Sequence, residues 1–459
     1  MLAKRVVIVG GGISGLAAAH RLVELGLDKS HLTLIEASDR LGGTLDTETR
    51  DGFLLERGPD SFISEKPEAL ALAKRLGLES RLIQTNEQFR RSFIVRNGRL
   101  RPVPEGFQLL APSRVWPFIT SDIFSVAGKL RMAADLLLPR KTTNGTQDES
   151  LASFVRRRLG QEALERMAQP MVGGIYTADP ETLSLRATLP RFLDMERDHR
   201  SLILAMMRQG QKVGTSGARY SLFLSFDRGM EVLVNALAGT ITNVRLERRV
   251  REIKKTNSAW TISIGNESFE ADAVCLAVPA YTAATLLQNV NPQLSAQLNA
   301  IKYASTATIN IAYPRHAIRH PLDGFGFVVP FIERRSLIAC TFSSVKFSGR
   351  APDDHVLLRA FAGGALQPEM FADPGPRIER DLCELLGITG KPLFTQIAKW
   401  ERSMPQYEVG HLDRVNAIDS EVCKLPGLAL AGNAYRGAGI PDCIRSGETA
   451  AEGLLTSAA

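Results

Sequence analysis

The sequence predicts an α/β fold in which one parallel sheet draws strands from both ends of the chain, and three observations predict it. Val6-Val7-Ile8-Val9 is a continuous apolar, β-branched run, the pattern of a strand covered on both faces. It enters Gly10-x-Gly12-x-x-Gly15, and an Ala-rich helical period (Leu16, Ala17, Ala18, Ala19, Leu22) follows at once. Near the other end, Leu428-Ala429-Leu430-Ala431-Gly432-Asn433 again runs a buried strand into glycine, with a helix over Glu448 to Leu455 beyond it.

The three glycines have separate steric reasons: a tight turn, backbone approach to a pyrophosphate, and close contact of helix on strand. The helix N-terminus then offers free N–H groups and a positive dipole end to the phosphates. Leu32-Thr33-Leu34-Ile35-Glu36 reads as a second strand ending in an acid about 20 residues on, where a carboxylate accepts ribose hydroxyls. Asp39-Arg40-Leu41-Gly42-Gly43 follows, and Gly58-Pro59-Asp60 comes after a short strand-like Phe53-Leu54-Leu55-Glu56. A diglycine behind an arginine lets the backbone pass close to a phosphate and ribityl region, for which a simple NAD-binding domain has no need. The pattern resembles that of the FAD-binding flavoproteins, and the resemblance implies FAD as the cofactor.

At 459 residues, two or three domains are expected. A formal charge of +7 with scattered arginines and no basic tract among aromatics points away from nucleic acid, towards an acidic small molecule or an anionic membrane surface. The five cysteines show no CxxC spacing and read as reduced thiols of a cytoplasmic protein, and the seven histidines lack ligand spacing, so no metal is expected. The first strand begins within a few residues of Met1, which leaves no room for a signal peptide, and no apolar run reaches the length of a membrane span.

Along the chain, Pro67 to Leu76 has a helical period with proline at the favoured position and Gly77 as a stop. Arg91 to Val95 and Leu100 to Val103 read as a hairpin across Asn97-Gly98. From Gly106 to about Ala205 helices dominate. The apolar stretch Phe107 to Leu138 has two open readings: a helical layer packed on the sheet, or a membrane-binding face flanked by Arg114, Lys129, Arg131, Arg140 and Lys141. Lys141 to Glu149 is a polar loop. Strands return at Ser221 to Phe226, Val244 to Ile253, Trp260 to Ile264 and Ala273 to Val278, with a helix to Leu237. Further strands at Thr308 to Tyr313, Phe325 to Val329, Leu337 to Phe342 and Val356 to Phe361, with a helix at Arg377 to Leu386, suggest a largely antiparallel sheet with one face on a cavity.

These segments divide the chain into FAD-binding parts at 1–91, 228–279 and 400–459, and substrate-domain parts at 92–105, 206–227 and 280–399. A helical domain occupies 106–205. The fold class is thus a Rossmann-like FAD-binding domain with an inserted mixed-sheet substrate domain and an inserted helical domain.

The blocks VVIVGGGISGLAAAHRL, LTLIEASDRLGG and LERGPDSF are shared across related flavoproteins. VGGIYTADPETLS, RAFAGG, KWERSMPQYEVGH and LALAGNAYRGAGIPDCIRSGETAA are more specific. With them the chain resembles the protoporphyrinogen/coproporphyrinogen oxidase family over nearly its whole length. The resemblance implies FAD- and dioxygen-dependent oxidation of a porphyrinogen to a porphyrin in haem biosynthesis, with coproporphyrinogen III favoured over protoporphyrinogen IX. It implies a six-electron dehydrogenation through hydride transfer to flavin N5, with hydrogen peroxide as co-product and handover to a haem-pathway chelatase. It assigns Gly10, Gly12, Gly15, Glu36, Arg40, Gly42 and Gly43 to the cofactor's pyrophosphate and ribose, Val250 to the adenine strand, and Trp400, Gly432, Gly439 and Ile440 to the flavin. Gly174 matches a glycine whose carbonyl faces the macrocycle, and Phe361, Thr341 and Phe327 match positions that sandwich it. Ser92 stands where eukaryotic members carry a propionate-binding arginine, which brings the chain closer to the soluble bacterial branch; Arg90 and Arg91 are adjacent, with Arg91 taken as the carboxylate contact, and Asn433 stands where many flavoproteins use Asp.

A porphyrinogen is an apolar ring with acidic rims, so a large apolar cleft with a few cations suits it. The flavin carries the electron chemistry, and positioning by Gly174 and Phe361 needs no acid–base side chain. His411 accordingly reads as structural. Two rivals share the fold or the cofactor: a flavin amine oxidase or carotenoid desaturase, and a non-catalytic FAD-bound tetrapyrrole-binding protein. The stretch after Trp400, Pro405-Gln406-Tyr407-Glu408-Val409-Gly410-His411, lacks the paired aromatics of an amine cage.

Overall fold

A computed structural model describes residues 4–141, 148–212, 222–256 and 259–456. Its organising element is a five-stranded parallel sheet in the order Val244–Arg245, Leu32–Ile35 (β2), Val6–Val9 (β1), Ala273–Leu276 and Leu428–Leu430. All four residues of β1 are buried, as the unbroken apolar run requires of a central strand covered on both faces. The first helix, α1 (Ile13–Glu24), lies on one face beside the C-terminal helix Ile440–Thr456. Two glycines set these contacts. A Cβ on Gly15 would stand 1.9 Å from the Gly10 carbonyl oxygen, and one on Gly447 would stand 2.1 Å from that of Ser14.

The expected single strand from Val244 to Ile253 is two. Val244–Arg245 extends the parallel sheet, the backbone reverses at Glu247 (φ 54°), and Val250–Lys255 starts an antiparallel sheet with Trp260–Ile264 and Glu267–Ala271. Strand Phe223–Phe226 pairs with Phe62–Ile63 and Leu82–Gln84, and the expected start at Ser221 lies outside the described residues. Most of the expected polar loop, residues 142–147, lies outside them too.

A seven-stranded sheet forms the second body, in the order Phe394–Pro405, Tyr303–Pro314, His355–Gly363, Ala339–Phe342, Gly326–Val328, Phe93–Arg96 and Arg99–Pro102. It is antiparallel except where Phe93–Arg96 meets Gly326–Val328. Strand Phe394–Pro405 runs through the expected boundary between residues 399 and 400. Alternation sorts the side chains. One face buries Phe93, Ile309, Phe327, Phe342 and Leu358 against the helix Gly375–Leu386. The other face turns toward the parallel-sheet body and the helical layer.

The helical layer has its own core around Phe154, Met167, Phe192 and Met206. Inside it Arg158 and Asp135, both fully buried, form an ion pair satisfied on every side. Arg158 also donates to the carbonyls of Pro139 (2.9 Å) and Arg200 (2.7 Å), and Asp135 accepts from the Ser201 hydroxyl (2.6 Å) and the Ile203 N–H (3.1 Å). Such a pair is costly to break from one side, by roughly 3–5 kcal/mol, because the surviving charge is left uncompensated. The outer face of Val115–Thr120 and Val126–Ala133 is apolar instead, with Trp116 74%, Leu130 69% and nearby Leu137 82% exposed.

Candidate active site

Two glycine loops face each other at the N-terminus of α1. Gly10 (φ 108°) turns the chain out of β1, and a Cβ there would stand 2.3 Å from the Ala277 carbonyl oxygen. Gly42 (φ 102°) donates from its N–H to the Gly11 carbonyl at 2.8 Å, and Gly43 (φ 60°) follows it opposite Gly12. Gly12 differs from its neighbours. Its backbone is ordinary (φ −70°, ψ 176°), it caps α1 without a side-chain hydrogen bond, and its Cβ would meet only the Gly43 Cα, at 4.0 Å. The space beside it is a cradle that any side chain would fill.

Glu36, immediately after β2, borders that cradle. Its carboxylate accepts the Gly11 N–H (2.6 Å) on Oε2 and the Ser38 N–H (2.8 Å) and hydroxyl (2.9 Å) on Oε1, leaving Oε2 a further lone pair for a ligand's hydroxyl. The Arg248 N–H donates to the Glu36 carbonyl at 2.9 Å, which brings the buried Val250 close to the same end of the sheet. Arg40 faces the loop and shapes it: its guanidinium donates to the carbonyls of Leu41, Leu45 (both 3.1 Å) and Gly43 (2.6 Å) and pairs with Asp46 at 3.2 Å.

The cradle continues toward the C-terminal block. Gly432 (φ 139°) has no atom closer than 4.0 Å to its Cβ position, and its N–H donates to the Ser446 hydroxyl at 3.0 Å. The Asn433 amide donates to the Ser403 carbonyl at 3.2 Å. Gly439 leads into Ile440, the first residue of the 17-residue helix Ile440–Thr456, where the N–H groups of Ile440 and Asp442 (Pro441 has none) lack partners within the helix and the dipole end is positive. Trp400 Nε1 donates to the Arg57 carbonyl at 2.9 Å, and the buried Arg359 donates to the carbonyl of Gly58. The large sheet is thereby tied to the loop Arg57 to Asp60. An elongated dinucleotide with a flat head fits this run of open glycines, acid and helix ends.

Buried charge concentrates where the two bodies meet. Burial opposes ionisation of Asp60, but the Lys346 ammonium (3.0 Å) and the Arg359 guanidinium (3.4 Å) outweigh it and hold the carboxyl well below the ordinary range. In Glu56 burial dominates. It accepts the Met230 N–H and the Thr47 hydroxyl, both at 2.8 Å, yet its carboxyl is pushed up to about 7. Among the described residues no three metal-ligating side chains converge.

Register decides what faces the substrate side. Phe361 lies opposite Ala339 and Thr308, Thr341 opposite Arg359, and Trp400 opposite Thr306, so Phe361, Thr341 and Trp400 share the face away from the sheet's own core. The Arg359 guanidinium sits 4.7 Å from the Phe361 ring centroid. Above the sheet runs the helix Gln169–Tyr176, and a Cβ on Gly174 would lie 4.0 Å from Val328 Cγ1. Gly174 is in the last turn, where carbonyls lack partners within the helix.

Two expected contacts do not share this face. Phe327 pairs with Cys340 and lies 2% exposed in the opposite core, 6.0 Å from the Phe342 ring; Val328 takes the site-facing position. The period of two makes a one-residue offset a change of face. Arg91 is engaged by Asp323 at 3.1 Å, and by alternation with the buried Phe93 it is Ser92 that shares the side of Ile94. Arg359 was absent from the expected set; its signal is its place two residues before Phe361, on the same face of one strand.

The profile of the flavin-containing amine oxidoreductases matches residues 13–455. The coproporphyrinogen III oxidase of Bacillus subtilis (strain 168) is 35% identical, covering 99% of this chain and 98% of its own. The chloroplastic protoporphyrinogen oxidase 1 of Arabidopsis thaliana is 31% identical, covering 97% and 87%. Among solved structures, one from Exiguobacterium sp. 255-15, assigned as a protoporphyrinogen oxidase, superposes with a TM-score of 0.88 at 32% identity, covering 99% of each chain.

Proposed function

The chain belongs to the flavin-containing amine oxidoreductases, in the group of coproporphyrinogen and protoporphyrinogen oxidases, and from that premise we propose that this FAD-dependent oxidoreductase converts coproporphyrinogen III to coproporphyrin III. One observation carries the reading beyond family. The sheet face bearing Phe361, Thr341 and Val328, beneath the glycine helix, is tied through Arg359 and Trp400 to the loop Arg57 to Asp60, and the Arg57 N–H donates in turn to the Asp46 carbonyl (2.8 Å) just beyond the diglycine. Glu36, Gly12, Gly43 and the 432–440 loop would hold FAD, with Arg40 shaping the diglycine turn. When bound, FAD supplies two-electron acceptance in three successive turns, with each pair passed to dioxygen as hydrogen peroxide.

The chain's own part is positioning. Phe361 and Val328 offer apolar contact to the macrocycle, and Arg359 stabilises the Phe361 ring from behind through its cation–π contact. The Gly174 carbonyl, at the negative end of its helix, accepts a pyrrole N–H and favours the charge that appears as electrons leave the ring. Asp60 stays ionised between Lys346 and Arg359 and is not available as a proton carrier at neutral pH.

The exposed Trp116, Leu130 and Leu137, with Arg114, Lys129 and Arg140 nearby, support a peripheral contact of the helical layer with an anionic membrane. Among the described residues no helix is long and apolar enough to cross one.

Anaerobic mixing with coproporphyrinogen III tests the reading. Bleaching of the flavin's long-wavelength band with appearance of porphyrin fluorescence is expected; a flavin that stays oxidised with the porphyrinogen bound refutes it. The ratio of kcat/KM for coproporphyrinogen III over protoporphyrinogen IX is expected to exceed one, and a ratio below one reverses the substrate assignment.

A further inference from the structure

We propose that Tyr407, with His411 stacked on it, is a positioning residue that fixes the backbone loop 433–437 and so tunes how readily the bound flavin accepts electrons. Tyr407 is 1% exposed, and its hydroxyl makes two hydrogen bonds to this loop: it donates to the Asn433 carbonyl and accepts the Gly437 N–H at 3.0 Å. One oxygen thus spans the loop from end to end, as a donor on one side and an acceptor on the other. His411 lies flat on the same ring, with centroids 4.2 Å apart and planes 15° apart, and its Nε2 stands 2.8 Å from the Tyr435 carbonyl. A carbonyl only accepts, so Nε2 carries the proton. Burial pushes the imidazole pKa down, which keeps the ring neutral in that tautomer at pH 7.

Two side chains from one short segment therefore hold three backbone groups within five residues. These bonds add to the loop's own anchors, the buried Ala434 and Tyr435 and the Arg436 guanidinium on Asp419 (2.6 Å), and they hold its far end, where Gly437 (φ 136°) has no side chain and a Cβ would strike the Asp442 carboxyl at 2.4 Å. The loop precedes the N–H groups at the start of the helix Ile440–Thr456, and electrostatic stabilisation of an electron-rich group depends on such donors being fixed before charge arrives. The same segment also reaches the substrate side. The Gln406 amide donates to the Tyr176 carbonyl at 3.4 Å, and the Tyr176 and Tyr407 rings are 6.2 Å apart. Tyr176 ends the helix that carries Gly174, so one segment touches both walls of the site.

The inference rests on the assignment of residues 432–440 to the flavin and is independent of the substrate. Tyr407→Phe keeps the ring and the stack and removes only the two hydroxyl bonds. In the holoenzyme, kcat is expected to fall about tenfold with KM held within about twofold. The midpoint potential of the flavin, measured by dye-equilibrated chemical reduction, is expected to move by about 30 mV, which is that tenfold converted for a two-electron couple. His411→Leu is expected to share the shift, whereas His411→Gln, which still offers a donor to the Tyr435 carbonyl, is expected to keep the wild-type potential. A Tyr407→Phe holoenzyme with unchanged potential overturns the inference, whether or not its melting temperature falls. Gly12→Asp separates this failure from a failure of the cofactor assignment: if that variant loses FAD while Tyr407→Phe leaves the potential unmoved, only the inference falls.

Discussion

Gly12→Asp separates the cofactor site from the fold. Gly12 has a β-region backbone that any residue adopts, and a Cβ there meets nothing closer than 4.0 Å, so the substitution creates no steric strain in the apoprotein. It also places a carboxylate at the uncapped N-cap of α1, where Asp is favoured over Gly by a few tenths of a kcal/mol and the helix dipole adds about 0.3–1 kcal/mol. Against a dinucleotide the sign reverses. A carboxylate about 5 Å from a phosphate charge, at an effective dielectric constant of about 20, costs roughly 3 kcal/mol, on the order of a hundredfold in affinity. The variant should purify folded and colourless, with an apoprotein melting temperature at or slightly above wild type and an FAD Kd weakened about a hundredfold by flavin fluorescence quenching. Gly15→Ala is the contrast: its Cβ would stand 1.9 Å from the Gly10 carbonyl oxygen, so apoprotein stability itself should fall. A yellow Gly12→Asp protein with wild-type affinity would refute the placement of the pyrophosphate in this cradle.

Phe361→Ala should raise KM for the porphyrinogen about tenfold and leave FAD content unchanged; unaltered kinetics would remove that ring from the chamber wall. Glu56 carries a proton in the folded state up to about pH 7 but has an ordinary carboxyl in the unfolded chain, so stability should fall as pH rises from about 4.5 to 7, by about 3 kcal/mol in all. Urea melts of Glu56→Gln across that window should show the slope reduced, and an identical slope would place the titration elsewhere. Trp116→Ser should weaken binding to anionic vesicles on the order of thirtyfold, from about 2 kcal/mol of lost apolar burial, with activity in detergent-free buffer unchanged; undiminished sedimentation with vesicles would exclude this face.

The nucleotide-binding elements were legible because local chemistry dictates them. Continuous apolar runs become strands covered on both faces, and the glycine spacing of residues 10–15 and 42–43 has steric requirements that sequence alone exposes. The substrate side was less legible. Phe327 and Val328 are adjacent and both apolar, and only the register of Gly326–Val328 against Ala339–Phe342 decides which of them faces away from the sheet's own core. Arg91 and Ser92 differ in the same way, since alternation at a strand entrance settles a direction that composition does not. Glu247 broke an expected strand through a local reversal that no glycine announced. Arg359 and Tyr407 owe their importance to partners about 300 and 30 residues away, and no local pattern encodes such distant pairings.

The parallel sheet acquires its fifth strand from Leu428–Leu430, about 150 residues along the chain from its neighbour Ala273–Leu276. During synthesis the N-terminal glycine turn emerges early, yet the 432–440 loop and the helix lying along α1 are still inside the ribosome or not yet made. A nascent chain therefore carries a half-covered sheet and an unfinished cleft until residues 428–456 have been made. Truncation before Ile440 should accordingly cost the chain its colour before it costs the N-terminal part its secondary structure.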